Sequence, residues 1–452
     1  MKSINPATNQ FLKEYPEHTA REVESIVEKV SEARKSWSET SFRYRGDLFR
    51  KLAACMRADK EGLATLVTSE MGKIIRESQA EIEKCALTCD YYAEHAESML
   101  TDEVIASDAG RSFVAFQPLG VILAVMPWNF PFWQVFRFAA PSIMAGNAAV
   151  MKHASNVPGC ALAIEELFKK AGFPENIFRT LMIPSSMVEA VIKHPAVKAV
   201  TLTGSGPAGS SVASAAAKEI KKAVLELGGS DPLVVLEDAD LEKAVQTSLS
   251  SRMFNQGQTC ISSKRFIVVE TVLEEFTSGL IAAVSALKVG DPMDPATQIG
   301  PMARPDLVDD LEKQVTESVK AGARLHYGGT RPGRPGCYYL PAILGNVQKG
   351  MPAYHEETFG PVFSIISVKS EEEAIAVAND TEFGLAATLF TEDLERGEKL
   401  AGKIEAGAVF VNGMVKSDPR LPFGGIKKSG YGRELAEYGI REFVNIKTIW
   451  IR

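Results

Sequence analysis

Cys260 lies in the stretch FNQGQTCISSKR, Phe254 to Arg265, among small and polar residues, with no Cys-x-x-Cys partner and no histidine within forty residues on either side. A thiol does nucleophilic chemistry as the thiolate, and its ordinary pKa near 8.5 means that something must activate it. Judged alone, such a cysteine reads as a buried, inert side chain. Asn129 in PWNFP follows an apolar run and could donate its amide to a developing oxyanion, although a turn asparagine before Phe-Pro is the plainer reading. Lys152 ends the run AAVMK and is followed by His153, Ala154 and Ser155. A lysine and a serine at a strand's C-terminal end could hold a ribose carrying a 2′-phosphate, which a glutamate at position 155 would repel; a solvated strand-end lysine is the alternative. In TLTGSGPAGSS, Gly204, Gly206 and Gly209 would let the backbone approach a phosphate at a helix N-terminus. The spacing is not the dinucleotide fingerprint, and a tight connection explains it equally well.

These residues need elements to place them. Residues 19–101 read as helices, starting with a capping box of Thr19 and Glu22 and apolar residues at Val23, Ile26, Val27 and Val30. At Arg111 the character changes. SFVAFQPLGVILAV reads as strands broken at Pro118-Leu119-Gly120, and apolar runs then alternate with helices through AAVMK, AVTLTG, KAVLELGG and PLVVLE. This alternation predicts a parallel α/β sheet with helices on both faces. A second α/β pattern over about 238–430 has strands RFIVVE, AILGNV, FSIISV, AATLFT and AVFVNG. EFVNIKTIWIR ends the chain as an alternating strand that must join a sheet, either on another subunit or on the SFVAFQP hairpin.

Composition narrows the class. The chain has 452 residues, 45% hydrophobic and 24% charged, as in an ordinary soluble protein of two or three domains. Its 50 Lys and Arg against 57 Asp and Glu give a net charge of −7, which offers no reason to expect nucleic acid or a membrane as partner. No apolar run reaches the length of a membrane span and MKSINPATNQ has no signal core, so a cytoplasmic location is expected. Cys85 and Cys89 share a helix spacing, but no Cys/His cluster completes a metal site, and none is expected.

PWNFP, TGS with a glycine four residues on, LELGG, GQTC, EETFGP and PFGGIKKSGYGRE occur in this order over essentially the whole chain. Together they resemble the aldehyde dehydrogenase superfamily, and the run from Val411 to Trp450 is most similar to the short bacterial succinate-semialdehyde dehydrogenases. The resemblance implies Cys260 as nucleophile, Glu226 of LELGG, 34 residues upstream, as general base, and Asn129 with the Cys260 backbone N–H as oxyanion donors. It implies a cofactor site of Trp128, Lys152, Ser155, Gly204, Ser205, Leu227, Glu357 and Phe359. Ser155 stands where NAD-preferring members carry Glu, so NADP is the expected cofactor, with NAD possible. Arg137, eight residues after Asn129, matches a carboxylate clamp, with Ser417 as a second contact. Phe254 stands where semialdehyde dehydrogenases commonly have a second arginine.

The implied architecture is a Rossmann-like cofactor domain (1–110 and 126–235), an α/β catalytic domain (236–430) and a small β oligomerisation element (111–125 and 431–452) in a homodimer or homotetramer. The implied reaction is the NAD(P)-dependent oxidation of an aldehyde, succinate semialdehyde first, through a thiohemiacetal and thioester on Cys260. Glutarate semialdehyde or a neutral aldehyde is the alternative substrate. A cysteine esterase acting without a cofactor is the other class, and it would have no use for Lys152, Ser205 or Glu357.

Overall fold

The computed structural model describes all 452 residues. The N-terminal region forms the helices Ala20–Ser38, Phe42–Ala58, Lys60–Met71 and Ile75–Met99. The first opens on the expected capping box: Thr19 Oγ1 accepts from the Glu22 N–H, and the Glu22 carboxylate accepts from the Thr19 N–H. A hairpin of Lys2–Ile4 and Phe11–Glu14 precedes them, which the sequence pattern did not announce. Its second strand is exposed along its whole length, so it lacks the alternation that marks a half-buried strand.

Two sheets organise the rest. In the six-stranded sheet, Val121–Met126, Ala148–His153, Phe178–Thr180, Val197–Thr203 and Lys222–Glu226 run parallel, and Gly430–Tyr431 adds an antiparallel edge. Both faces are buried. Ile122 and Ala124 point into a core shared with Phe136 and Phe168, while Val121 and Leu123 pack with Val150 and Leu202 on the other side. Near-continuous apolar runs are what a two-sided parallel sheet requires. The seven-stranded sheet contains all five strands expected after 238, together with Pro232–Val235 and an antiparallel edge strand, Arg324–Tyr327. It too has a core on each face, one around Val234, Ile267 and Val362 and one around Leu233, Phe266 and Phe363.

The terminal strand Val444–Ile451 pairs along its length with Arg111–Pro118, the second of the two expected destinations, and Glu103–Val104 completes a three-stranded sheet. The expected boundaries shift accordingly. Only the first part of 111–125 belongs to this small sheet, because Val121–Met126 is central in the six-stranded one. Pro232–Val235, at the end of the expected 126–235 segment, pairs with Arg265–Val269 and Ala386–Phe390 instead. Tyr431, placed in the expected oligomerisation element, pairs with Leu225. An apolar run identifies a buried strand without saying which sheet buries it.

Candidate active site

Parallel strands deliver their C-terminal ends to one edge of a sheet, where ligands bind in α/β folds. Here that edge carries Lys152 and His153 on one strand, Thr203 and then Gly204 on the next, and Glu226 on a third, with Asn129 three residues beyond Met126. The neutral His153 imidazole fixes this edge. Its Nδ1 accepts from the Ala154 N–H at 2.8 Å, so its Nε2–H donates to the Pro131 carbonyl at 2.8 Å, tying the strand end to the loop that carries Asn129. Burial pushes its pKa down to about 4, which keeps it neutral.

Cys260 comes from the other unit, on the loop between the helix Leu241–Met253 and the strand Arg265–Val269. The chain reaches it through three successive left-handed residues, Asn255 (φ 53°), Gln256 (φ 54°) and Gly257 (φ 75°). Backbone in this region is strained for side chains other than glycine, and surrounding bonds must hold it. The Asn255 side chain donates to the carbonyls of Asn129 and Gln258, and the buried Arg252 guanidinium donates to the carbonyls of Thr358 and Gly360. Buried Lys264 donates to the carbonyls of Thr259 (3.2 Å), Cys260 (2.8 Å) and Ser262 (3.2 Å).

The Cys260 backbone N–H has no acceptor in the protein. Asn129, 5% exposed, uses one amide N–H on the Gln258 carbonyl at 3.0 Å and keeps the other free. Two donors thus meet at the nucleophile loop, as an oxyanion hole needs. Burial pushes the Cys260 thiol up to about 11; Arg137 and Lys264 pull it down, and Glu357 and Asp231 push it further up. The resting group is therefore the thiol, and its activation requires a base or a bound positive charge.

Glu226 is 2% exposed, and neither carboxylate oxygen has a hydrogen-bond partner. Burial lifts its pKa well above the carboxylate range; Arg137 and Arg433 oppose the shift, and Glu434 and Glu442 add to it. Its turn, LELGG, is tied down when Leu227 N–H donates to the Ser429 carbonyl (2.9 Å) and Ser429 Oγ to the Gly228 carbonyl (2.7 Å). Gly228 and Gly229 are required by close approach. A Cβ at 228 would overlap the Glu357 carboxylate, and one at 229 would lie 3.0 Å from the Cys260 carbonyl. Glu357 accepts from the Gly229 N–H at 3.0 Å and faces Lys264 at 3.4 Å. Phe359 packs edge-on against Trp128 with ring centroids 5.8 Å apart.

A cavity of about 200 Å³ opens beside Cys260, walled by Phe130, Trp133, Phe254 and Phe423. Arg137 and Ser417 line it with Cys260, whereas Glu226 does not. Arg137 is spoken for: its Nε is ion-paired with Glu434, its Nη2 donates to Thr203 Oγ1 at 3.3 Å, and its guanidinium lies 4.3 Å from the Phe423 ring centroid. Lys84, Lys264, Arg252 and Glu434 were not singled out by sequence reasoning. Only Lys264 had a signal, its place in the donor-rich stretch after Cys260.

The residues expected to hold a cofactor sit further along the sheet edge. Lys152 is buried, its ammonium is paired with no carboxylate, and desolvation alone lowers its pKa. Ser155 is exposed just beyond it. Ser205 caps the helix Gly206–Lys218 without a side-chain hydrogen bond, and a Cβ at Gly206 would meet nothing within 4 Å, so this helix N-terminus opens to solvent. Leu227 is buried against Gly209, where a Cβ would strike its side chain. An unpaired lysine, an open helix N-terminus and an aromatic pair fit a phosphate-bearing dinucleotide.

The chain matches the model of the aldehyde dehydrogenase family over residues 1–449. It is 54% identical over 449 residues to a probable NADP(+) succinate-semialdehyde dehydrogenase of Synechocystis, covering 99% of each chain. It is 46% identical to the NAD(P)+ succinate semialdehyde dehydrogenase of Escherichia coli, covering 99% of this chain and 97% of the other. The solved succinic semialdehyde dehydrogenase of Streptococcus pyogenes, in complex with NADP+, is 40% identical and superposes with a TM-score of 0.98, covering 100% and 99%. Motifs, strand-end geometry and whole-length similarity agree: this chain belongs to the aldehyde dehydrogenase family.

Proposed function

We propose that the protein oxidises succinate semialdehyde to succinate, preferring NADP and accepting NAD. The observation that carries this reading is a thiol and two free oxyanion donors at one loop, beside a cavity with apolar walls and a cationic end, with an unpartnered buried carboxylate, Glu226, at a strand end of the adjoining sheet. The names of the similar proteins from Synechocystis, E. coli and S. pyogenes support the substrate and cofactor.

Cys260, whose thiolate Arg137 and Lys264 favour, gives up its proton to solvent, and its Sγ adds to the aldehyde carbon; the carbonyl oxygen becomes an oxyanion that accepts from the Cys260 N–H and Asn129. Each donor contributes about 2–4 kcal/mol to lowering the barrier. Lys152, Ser155, the 204–206 turn and Glu357 would hold NADP, which would supply the hydride acceptor needed to oxidise the adduct on Cys260 to a thioester. Glu226, once ionised, takes a proton from the water that hydrolyses the thioester and returns the Cys260 thiol. The exposed apolar side chains of Ile446, Trp450 and Ile451 on the terminal edge strand support assembly into a homodimer or homotetramer, which light scattering measures.

The test is to mix the purified protein with succinate semialdehyde, glutarate semialdehyde or butanal and either cofactor, and to follow the reduced cofactor. Turnover of succinate semialdehyde should be fastest, with NADP ahead of NAD and Ser155→Glu reversing that order. No cofactor reduction with any aldehyde, or ester hydrolysis alone, would overturn the reading.

A further inference from the structure

We infer that Lys84, acting with Ser417, is a charge partner of the substrate carboxylate, supplying beside the ion-paired Arg137 the uncompensated cation that Phe254 lacks. The inference rests on the semialdehyde reading above and deepens it. Three observations carry it. Lys84 lies on the helix Ile75–Met99 and lines the same cavity as Cys260, and its only hydrogen bond is to a neutral group, Ser417 Oγ at 2.6 Å. Its ammonium sits 4.1 Å from the Trp133 ring centroid, a contact that aims it without neutralising it. The second is the state of Arg137. Glu434 pairs with its Nε, Thr203 takes one Nη2 N–H and Phe423 covers its face, so its charge is compensated and only its outer Nη1 and Nη2 N–H groups are left for a ligand. The third is Phe254, which lines this cavity where the resemblance places a second arginine. The cation missing from that position is supplied by a different helix.

The charge count of the cavity follows. Arg137 and Glu434 cancel, Glu81, which also lines the cavity, is paired with Lys73, and the nearby Asp418 is paired with Arg420 at 2.7 Å, leaving Lys84 as the uncompensated charge inside and Lys416 exposed at the mouth. Burial pushes the Lys84 pKa down to about 8, with Arg137 pressing the same way and Cys85, Glu81 and Asp418 opposing. An incoming carboxylate replaces the hydration that the ammonium has lost, and Ser417 can donate its hydroxyl to the second carboxylate oxygen. Arg137 also sets the field at Cys260 and Glu226, which it favours in their charged forms.

The test compares Lys84→Met and Lys84→Arg with wild type on succinate semialdehyde and butanal, with NADP saturating. Lys84→Met should raise KM for succinate semialdehyde on the order of 30-fold, the value of one charge-assisted hydrogen bond, while KM for butanal and both kcat values change less than about threefold. Lys84→Arg should recover part of the loss. In wild type, KM for succinate semialdehyde should climb as the pH rises past about 8 and Lys84 loses its proton, with butanal unaffected, and Lys84→Arg should abolish that climb. Arg137→Met should lower kcat for both aldehydes. If wild type prefers succinate semialdehyde and Lys84→Met keeps that preference, or if Lys84→Met lowers activity equally on both aldehydes, the assignment of Lys84 is wrong. If wild type treats the two aldehydes alike, it is the semialdehyde reading that fails.

Discussion

Glu226, the proposed base, is kept in its acid form. A carboxylate in water ionises near pH 4.3, but this one is buried, accepts no hydrogen bond and lies near Glu434 and Glu442. It can accept a proton from water only after losing its own. The rate of thioester hydrolysis, followed on preformed acyl-enzyme, should therefore rise with pH through this elevated pKa and then level off. In Glu226→Gln it should be about 100-fold slower or more and lack the ascending limb. A wild-type rate that shows no rise with pH would remove Glu226 from this role. Cys260, Glu226 and Asn129 were singled out in the sequence only through the resemblance that GQTC, LELGG and PWNFP carry in order, since each residue alone has a plainer reading. Lys84 and Glu434 were not, because their roles arise between distant segments. In a polar helix Lys84 has the pattern of a solvated lysine, and only folding sets it against Trp133 and Ser417.

Among the elements, the loop that carries Cys260 is the least ordinary. Its left-handed run from Asn255 to Gly257 turns the chain beneath the Thr358–Gly360 segment. Replacing Gly257 with alanine forces a Cβ into the Gly360 carbonyl at φ 75°. Gly257→Ala should lose about 3 kcal/mol or more in denaturant unfolding, and kcat should fall with it, because both the thiol and Glu357 are displaced. Gly206→Ala, whose Cβ meets nothing, should stay within about 0.5 kcal/mol of wild type. Equal stability of the two variants would mean that the loop is not held as described. The N-terminal helices and most buried strands were legible from their periodicity, whereas the helices Leu273–Ser285 and Pro305–Lys320 and the short strand Phe178–Thr180 were not read. The edge strand Arg324–Tyr327 was not, because it is short and largely exposed, and neither was the left-handed run, because Asn-Gln before Gly permits such a turn without requiring it.

At the scale of the molecule, the reaction is divided between two sheets. The six-stranded sheet brings Asn129, Lys152 and Glu226 to one edge, and the seven-stranded sheet brings the loop of Cys260 to meet them. The contacts that join the two units are short and specific: Asn129 to Gln258, Asn255 to Asn129, and Gly229 against the Cys260 carbonyl. No helix is long and apolar enough to cross a membrane. The central claim is that Cys260 carries the acyl group and that Glu226, from the other sheet, is needed only to release it. The most direct measurement mixes Glu226→Gln with succinate semialdehyde and NADP in a single stopped-flow and mass-spectrometry experiment. The account predicts a burst of about one equivalent of reduced cofactor per active site, followed by near arrest, with a succinyl thioester on the peptide containing Cys260. Steady turnover without a burst, or an unmodified Cys260 after the burst, would contradict it.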